Sequence, residues 1–172
     1  MASKAQIDKA PKGKTVDAPG PVPGDKVPDF KLATDAGTAI SRASLKGQAF
    51  VLYFYPKDDT SGCTRQALDF TAAAAKFARA GVEVVGVSKD SLASHEKFRA
   101  KHTLKLTLAS DPNIEAAKAF GVWGEKSLYG RKYMGVERAT FLVDAGGKVA
   151  QTWRKVKVPG HVEAVLAAAK KL

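Results

Sequence analysis

The chain has 172 residues, 45% of them hydrophobic and 26% charged, with a formal net charge of +11 and one cysteine. That length supports a single domain with one sizeable core, and one cysteine excludes an intrachain disulfide, a Cys-x-x-Cys redox pair and a Cys-based structural zinc site. The positive charge contains no run of five like residues, which argues for a solvated basic surface and against a specific nucleic-acid site.

Residues 1–23 intersperse Pro11, Pro19, Pro21 and Pro23 with Gly and Lys. They cannot bury enough apolar surface to offset ordering, so a flexible basic tail is expected there, with the domain proper over 24–172. No apolar run in 1–27 suits a secretory segment or membrane anchor, so the cytoplasm is the expected location. Val27 to Phe30 begins a short extended piece that turns at Asp35-Ala36-Gly37. Ala49 to Tyr55 is a continuous apolar and aromatic run between Gly47 and Pro56, the composition of a strand buried on both faces. From Cys63 to Ala80 there is no Gly or Pro, and Ala67, Phe70, Ala74, Phe77 and Ala78 recur at helical spacing, which predicts one long amphipathic helix ended by Gly81.

Val82 to Val87 reads as a second buried strand, and Ser91 as the cap of a helix running to about His102. Leu106 to Ser110 is a weaker strand. Asp111-Pro112 is expected to start a short helix that runs through Phe120. Thr140–Val143 and Val149–Trp153 are β-rich runs joined by a turn containing Gly146 and Gly147, a hairpin pattern. The basic cluster Arg154, Lys155 and Lys157 follows, with no aromatic nearby but Trp153. His161 to Lys171 is a final helix. Strands alternating with helices and closing on a hairpin predict an α/β fold: a mixed central sheet with helices on both faces.

Cys63 falls at the join of the central strand and the long helix, in the run Tyr55-Pro56-Lys57-Asp58-Asp59-Thr60-Ser61-Gly62-Cys63. A thiol in a first helical turn meets unpaired N–H groups and the positive end of the helix dipole, which favour thiolate over thiol. Pro56 and Gly62 shape the loop, and the Thr60 hydroxyl can reach the same pocket. Asp58 and Asp59 would oppose a thiolate if they pointed inward, so both are expected to face solvent. A helix terminus alone is a weak activator. Arg138, directly ahead of the Thr140–Val143 strand, is the best candidate for a second cationic group. Gln66, one turn beyond Cys63, joins the Arg138 network or is an exposed helix residue. His95, His102 and His161 are scattered, which gives a Cys-His hydrolase little support. Trp123 and Trp153 read as packing residues.

The run Y-P-K-D-D-T-S-G-C-T resembles the P-x-x-x-T-x-x-C active-site loop of the peroxiredoxins. Within that superfamily, G-V-S-K-D-S, F-G-V-W-G-E-K, G-V-E-R-A-T-F-L-V-D and W-R-K-V-K-V-P-G-H resemble the bacterioferritin comigratory protein (PrxQ) group, from about residue 24 to the C-terminus. The resemblance implies a thioredoxin-like fold and thiol-dependent reduction of hydrogen peroxide and organic hydroperoxides. By position it makes Cys63 the peroxidatic cysteine, Thr60 and Pro56 its loop residues and Arg138 the activating arginine. It implies no metal, haem or flavin cofactor. Ser61 stands where many relatives have proline.

Relatives that carry a second, resolving cysteine hold it where this chain has Leu68 or Arg99. The resemblance therefore implies a one-cysteine variant whose sulfenic acid is reduced by an external thiol such as thioredoxin, glutaredoxin or glutathione. Such a chain is expected to have no membrane partner and to be a monomer more than a stable oligomer. The alternative reading is a redox-sensing or anionic-partner-binding module switched by oxidation of Cys63. Glu125 and Lys126 match the group without a derivable role.

Overall fold

The computed structural model describes residues 20–172, so all but the end of the tail expected at 1–23 lies outside the described residues. Chain order is β1 (Lys31–Thr34), β2 (Ala39–Ser41), β3 (Ala49–Phe54), α1 (Ser61–Ala72), α2 (Ala74–Arg79), β4 (Val82–Ser88), α3 (Leu92–His102), β5 (Thr107–Ser110), α4 (Glu115–Ala119), β6 (Trp123–Leu128), β7 (Arg131–Val136), β8 (Ala139–Val143), β9 (Val149–Trp153) and α5 (His161–Ala169). Seven strands form one mixed sheet in the order β2-β1-β5-β4-β3-β8-β9. Its centre is parallel, β3 on β4 and β4 on β5, and β8 closes antiparallel against β3.

The apolar run becomes β3 because both of its faces are covered. Side chains alternate along a strand. Phe50, Leu52 and Phe54 join Phe30, Phe120, Phe141 and the α4 alanines on one face. Val51, Tyr53 and Tyr55 join Cys63, Phe70, Phe77, Phe98 and Val165 from α1, α2, α3 and α5 on the other. Helices therefore cover both faces, as expected. Each fully buried Phe contributes about 1.5–3 kcal/mol relative to exposure. Phe120 ties the first face together, with ring centroids 5.2 Å from Phe54 and 5.1 Å from Phe141.

Three local features differ from the sequence expectations. The single helix expected over Cys63–Ala80 is two, α1 and α2, broken at Ala73 (φ −96°, ψ 5°). The break falls within the four alanines Ala72 to Ala75, the best helix formers, so tertiary packing overrides propensity; Thr71 on the last turn of α1 accepts a hydrogen bond from the Lys105 N–H. The helix expected from Asp111-Pro112 starts at Glu115. The Asp111 carboxylate still serves it, accepting from the N–H groups of Ala116 (3.1 Å) and Ala117 (2.9 Å). The third is an unexpected antiparallel ribbon, β6 with β7, turned by Tyr129 (φ 53°) and Gly130 (φ 78°). Both turn residues have positive φ, as a two-residue primed hairpin requires. The strands are charged and largely exposed, so no hydrophobic period marked them.

Close contact reaches back to the first described residue. A Cβ on Gly20 (φ 71°) would sit 2.2 Å from the Phe120 carbonyl oxygen, so only glycine fits. Gly24 and Val27 then donate to the carbonyls of Val149 and Gly147, holding this segment on the β8–β9 hairpin.

Candidate active site

Parallel strands place their C-terminal ends, and the loops leaving them, along one rim of the sheet, where α/β folds gather their chemistry. Tyr55 extends β3 by one bond to the Val87 carbonyl. Pro56, with no N–H to offer, ends the ladder and starts the loop into α1.

Loop residue Asp58 is anchored inward. Its carboxylate accepts from the Tyr55 hydroxyl (2.6 Å), Ser94 Oγ (2.8 Å) and His95 Nδ1 (2.7 Å), and its N–H donates to Asp90 Oδ2 (2.9 Å). Asp58 is 7% exposed and His95 fully buried. This corrects the expectation that both aspartates face solvent: only Asp59, at φ 61°, turns out, pairing with Lys101 Nζ (2.8 Å) and His102 Nε2 (2.9 Å). The reason is a partner 37 residues away in sequence. His95 Nε2 faces the Ala109 carbonyl at 2.9 Å. A carbonyl only accepts, and so does the Asp58 carboxylate, so both ring nitrogens carry protons and the pair is aspartate with imidazolium. Burial pushes Asp58 up, but hydrogen bonds from His95 and Tyr55 outweigh it and hold the carboxyl below its ordinary range. Burial likewise pushes His95 down, and the hydrogen bond and charge of Asp58 overcome this and raise it.

Thr60 is the backbone N-cap of α1 (φ −87°, ψ 159°), yet no side chain caps that helix among the described residues. The exposed Thr60 hydroxyl instead donates to the Lys57 carbonyl at 3.0 Å. The first-turn N–H groups of Ser61, Gly62 and Cys63 thus keep no capping side chain. Cys63, the third helical residue, is 1% exposed.

Arg138 directly precedes β8, the strand beside β3. Its Nη2 donates to Cys63 Sγ at 3.4 Å and its Nη1 to Gln66 Oε1 at 2.7 Å. Gln66 is fully buried, which settles its two readings in favour of the Arg138 network, and its Nε2 has no partner among the described residues. Gly62 makes room: a Cβ there would lie 3.1 Å from Arg138 Nη2. The Arg138 carbonyl accepts from Val156, tying the guanidinium's strand to the loop after β9.

His161 sits 2.8 Å from Thr140 Oγ1 through Nε2. Burial, then the nearby Arg138 charge, lowers it to about 4, so it is neutral near pH 7. A cavity of about 750 Å³ opens beside Pro56 and Arg138, between the β6–β7 ribbon and the loop after β9. Lys126 enters it with Nζ donating to the Val136 carbonyl at 3.0 Å; burial, then repulsion from Arg138, lowers its pKa. Glu137 is occupied by Arg154 Nε (2.7 Å), Arg154 Nη2 (2.9 Å) and the Lys155 N–H (2.9 Å).

Of the residues expected at the site, Cys63 and Arg138 are in contact, Pro56 lines the cavity with Arg138, and Thr60 adjoins Cys63 with its hydroxyl turned to Lys57. Sequence reasoning missed the Asp58–His95 pair and the setting of Lys126. The thiol in a helical first turn and the arginine ahead of the next strand belong to a thioredoxin-like sheet, and the protein is a thiol peroxidase. Residues 23–152 match the AhpC/TSA family, and the chain belongs to it. Within it, the chain is a peroxiredoxin of the Bcp/PrxQ group.

The putative peroxiredoxin bcp of Coxiella burnetii is 46% identical over 143 residues, 83% of this chain and 95% of the relative. Peroxiredoxin Bcp of Bacillus subtilis is also 46% identical over 143 residues, 83% and 91% of the two chains. Among solved structures, Xanthomonas campestris peroxiredoxin Q is 46% identical with a TM-score of 0.78, covering 83% of this chain and 90% of that one. A cysteine-to-serine mutant of Xylella fastidiosa PrxQ reaches 0.82 at 37% identity, covering 88% and 96%.

Proposed function

We propose that Cys63 is the peroxidatic nucleophile of a one-cysteine peroxidase for hydrogen peroxide and organic hydroperoxides, within a domain spanning 24–172. The observation that carries this is the Arg138 guanidinium at 3.4 Å from the buried sulfur, oriented by its second bond to Gln66. The thiolate attacks the terminal peroxide oxygen, the O–O bond breaks, and Cys63 becomes a sulfenic acid while water or an alcohol leaves. Arg138 and the uncapped first-turn N–H groups stabilise the negative charge that develops on the departing oxygen. The Thr60 hydroxyl exchanges its bond to Lys57 for one to the peroxide. Pro56 fixes the loop's departure from β3. Alkyl peroxide reduction is ascribed to Xanthomonas campestris bacterioferritin comigratory protein, 45% identical to this chain; the same substrate class suits the geometry here.

Cys63 is the sole cysteine, so reduction of the sulfenic acid falls to an external thiol: thioredoxin, glutaredoxin or glutathione. A reducing cytoplasm supplies such thiols and matches a chain without disulfides. No helix among the described residues is long and apolar enough to cross a membrane. The working unit is a monomer, to be checked by sedimentation. The switch-module alternative is not favoured, because a fixed arginine on the sulfur serves turnover.

Stopped-flow peroxide consumption tests the reading. Cys63→Ser should abolish it, and Arg138→Lys, which loses the two-pronged hold, should slow oxidation about 10²-fold. An ordinary thiol rate in the unmodified protein would overturn the proposal.

A further inference from the structure

The cavity beside Arg138 has a charge imbalance that the peroxide step does not use. Cationic Lys126, Arg138, Arg154, Lys155 and Lys157 line it against two carboxylates, Glu125 and Glu137. Glu137 is taken up by Arg154 and the Lys155 N–H, which leaves the exposed Glu125 as the one carboxylate of the lining without such partners, against four further cations. Lys126 is half-buried and spends one of its three N–H groups on the Val136 carbonyl. Gly135 permits that pose, since a Cβ there would be 3.0 Å from Lys126 Cδ. Gly121 and Gly124 add no side chains to the lining. The volume, about 750 Å³, lies in the range of small-molecule sites.

Resting on the peroxidase reading above, we propose that this cavity is the binding site of the reductant, a small thiol bearing carboxylate groups, of which glutathione is the available example. Lys126 and Lys157 hold the carboxylates. Arg138 lines the cavity and touches Cys63 Sγ, so an anchored thiol lies one side chain away from the sulfur it must attack. Its sulfur displaces the oxygen of the sulfenic acid: the S–O bond breaks, an S–S bond forms, and water leaves with the thiol proton. A second thiolate of the same kind then attacks the bound thiol's sulfur in this mixed disulfide, releasing the Cys63 thiolate and the small-molecule disulfide.

The test separates the two half-reactions in the full chain. Cys63 is oxidised with one equivalent of hydrogen peroxide, and reduction is then followed by mass spectrometry with glutathione or with uncharged 2-mercaptoethanol. The double variant Lys126→Gln/Lys157→Gln should slow glutathione reduction about tenfold, two partly exposed charge contacts each contributing a few-fold, and leave 2-mercaptoethanol within about twofold. Lys157→Glu, at an exposed position where folding is not at issue, should slow glutathione further and spare 2-mercaptoethanol. Added salt should slow glutathione alone. Equal effects on both thiols, or no effect on either, overturn the proposal. A charge effect confined to oxidation by a carboxylate-bearing hydroperoxide, absent with cumene hydroperoxide, also overturns it, because the cavity then serves the substrate. Failure of the first equivalent to oxidise Cys63 is a different result, and it removes the peroxidase reading itself.

Discussion

Replacing His95 with glutamine removes the charge that compensates Asp58 and leaves a carboxylate that is 7% exposed. Breaking a buried ion pair from one side typically costs about 3–5 kcal/mol. Asp58 keeps the Tyr55 hydroxyl at 2.6 Å and Ser94 Oγ at 2.8 Å, so the expected loss is at the lower end, about 3 kcal/mol, or about 6–12 °C in melting temperature for a chain of this size. The double variant Asp58→Asn/His95→Gln holds no unpaired charge and should be more stable than His95→Gln alone, with a coupling of about 2 kcal/mol between the sites. Urea denaturation followed by Trp123 and Trp153 fluorescence at neutral pH measures all four corners of the cycle. Peroxide oxidation should slow in the single variant, because Asp58 fixes the loop that delivers Cys63. A melting temperature within about 2 °C of the parent, or strictly additive single effects, would refute the aspartate–imidazolium assignment. The pair also sets a pH window. Asp58 is lowered, so its contribution is full above the ordinary carboxylate pKa and fades as pH falls through the depressed folded value. His95 is raised, so its contribution is full below the ordinary imidazole pKa and fades as pH rises through the elevated folded value.

His161 acts in the opposite sense. With its pKa lowered to about 4, the unfolded chain takes up its proton first on acidification, and stability is lost as pH falls from the ordinary imidazole value toward 4; His161→Gln should flatten that part of a thermal-melt profile. Gly62→Ala places a methyl 3.1 Å from Arg138 Nη2. Since alanine favours a helix by about 1 kcal/mol over glycine, stopped-flow oxidation should slow while the melting temperature holds or rises, and a parallel fall in both would show a folding defect instead.

What was legible in the sequence was local. The unbroken apolar run marked β3, and strand, Pro56, turn and helix followed within a dozen residues, which put Cys63 at a helix start. The β6–β7 ribbon escaped because its strands are charged and exposed, and because Tyr129-Gly130 is not among the strong hairpin dipeptides. Asp58 and Asp59 are chemically identical neighbours, and no rule of spacing says which turns inward; the decision is made by His95 on α3. Arg138 lies 75 residues from Cys63. Only the strand order, or the family resemblance, brings the two together.

The two positions that the family resemblance assigns to a second cysteine carry a mechanical consequence. A residue five places along a helix from Cys63 projects on another face, and its Cα lies beyond the roughly 4.4–6.8 Å that a disulfide tolerates, so pairing across that spacing requires α1 to unwind. Here the position is Leu68, and no such demand exists. The other position, Arg99, is bonded to both oxygens of Asp35 and to the carbonyls of Leu104 and Leu106, holding α3 to the β1–β2 turn and to the segment that leads into β5. Its side chain is part of the fold's scaffold. Both helices should therefore stay formed through the cycle. Hydrogen exchange, compared between the reduced protein and the Cys63 mixed disulfide, should show changes confined to the first turn of α1, with amides from Gln66 onward and throughout α3 as protected as before. Accelerated exchange along the whole of Ser61–Ala72 would mean that α1 opens without a resolving cysteine to draw it open, and that opening is intrinsic to exposing a sulfur that is 1% accessible in the folded protein.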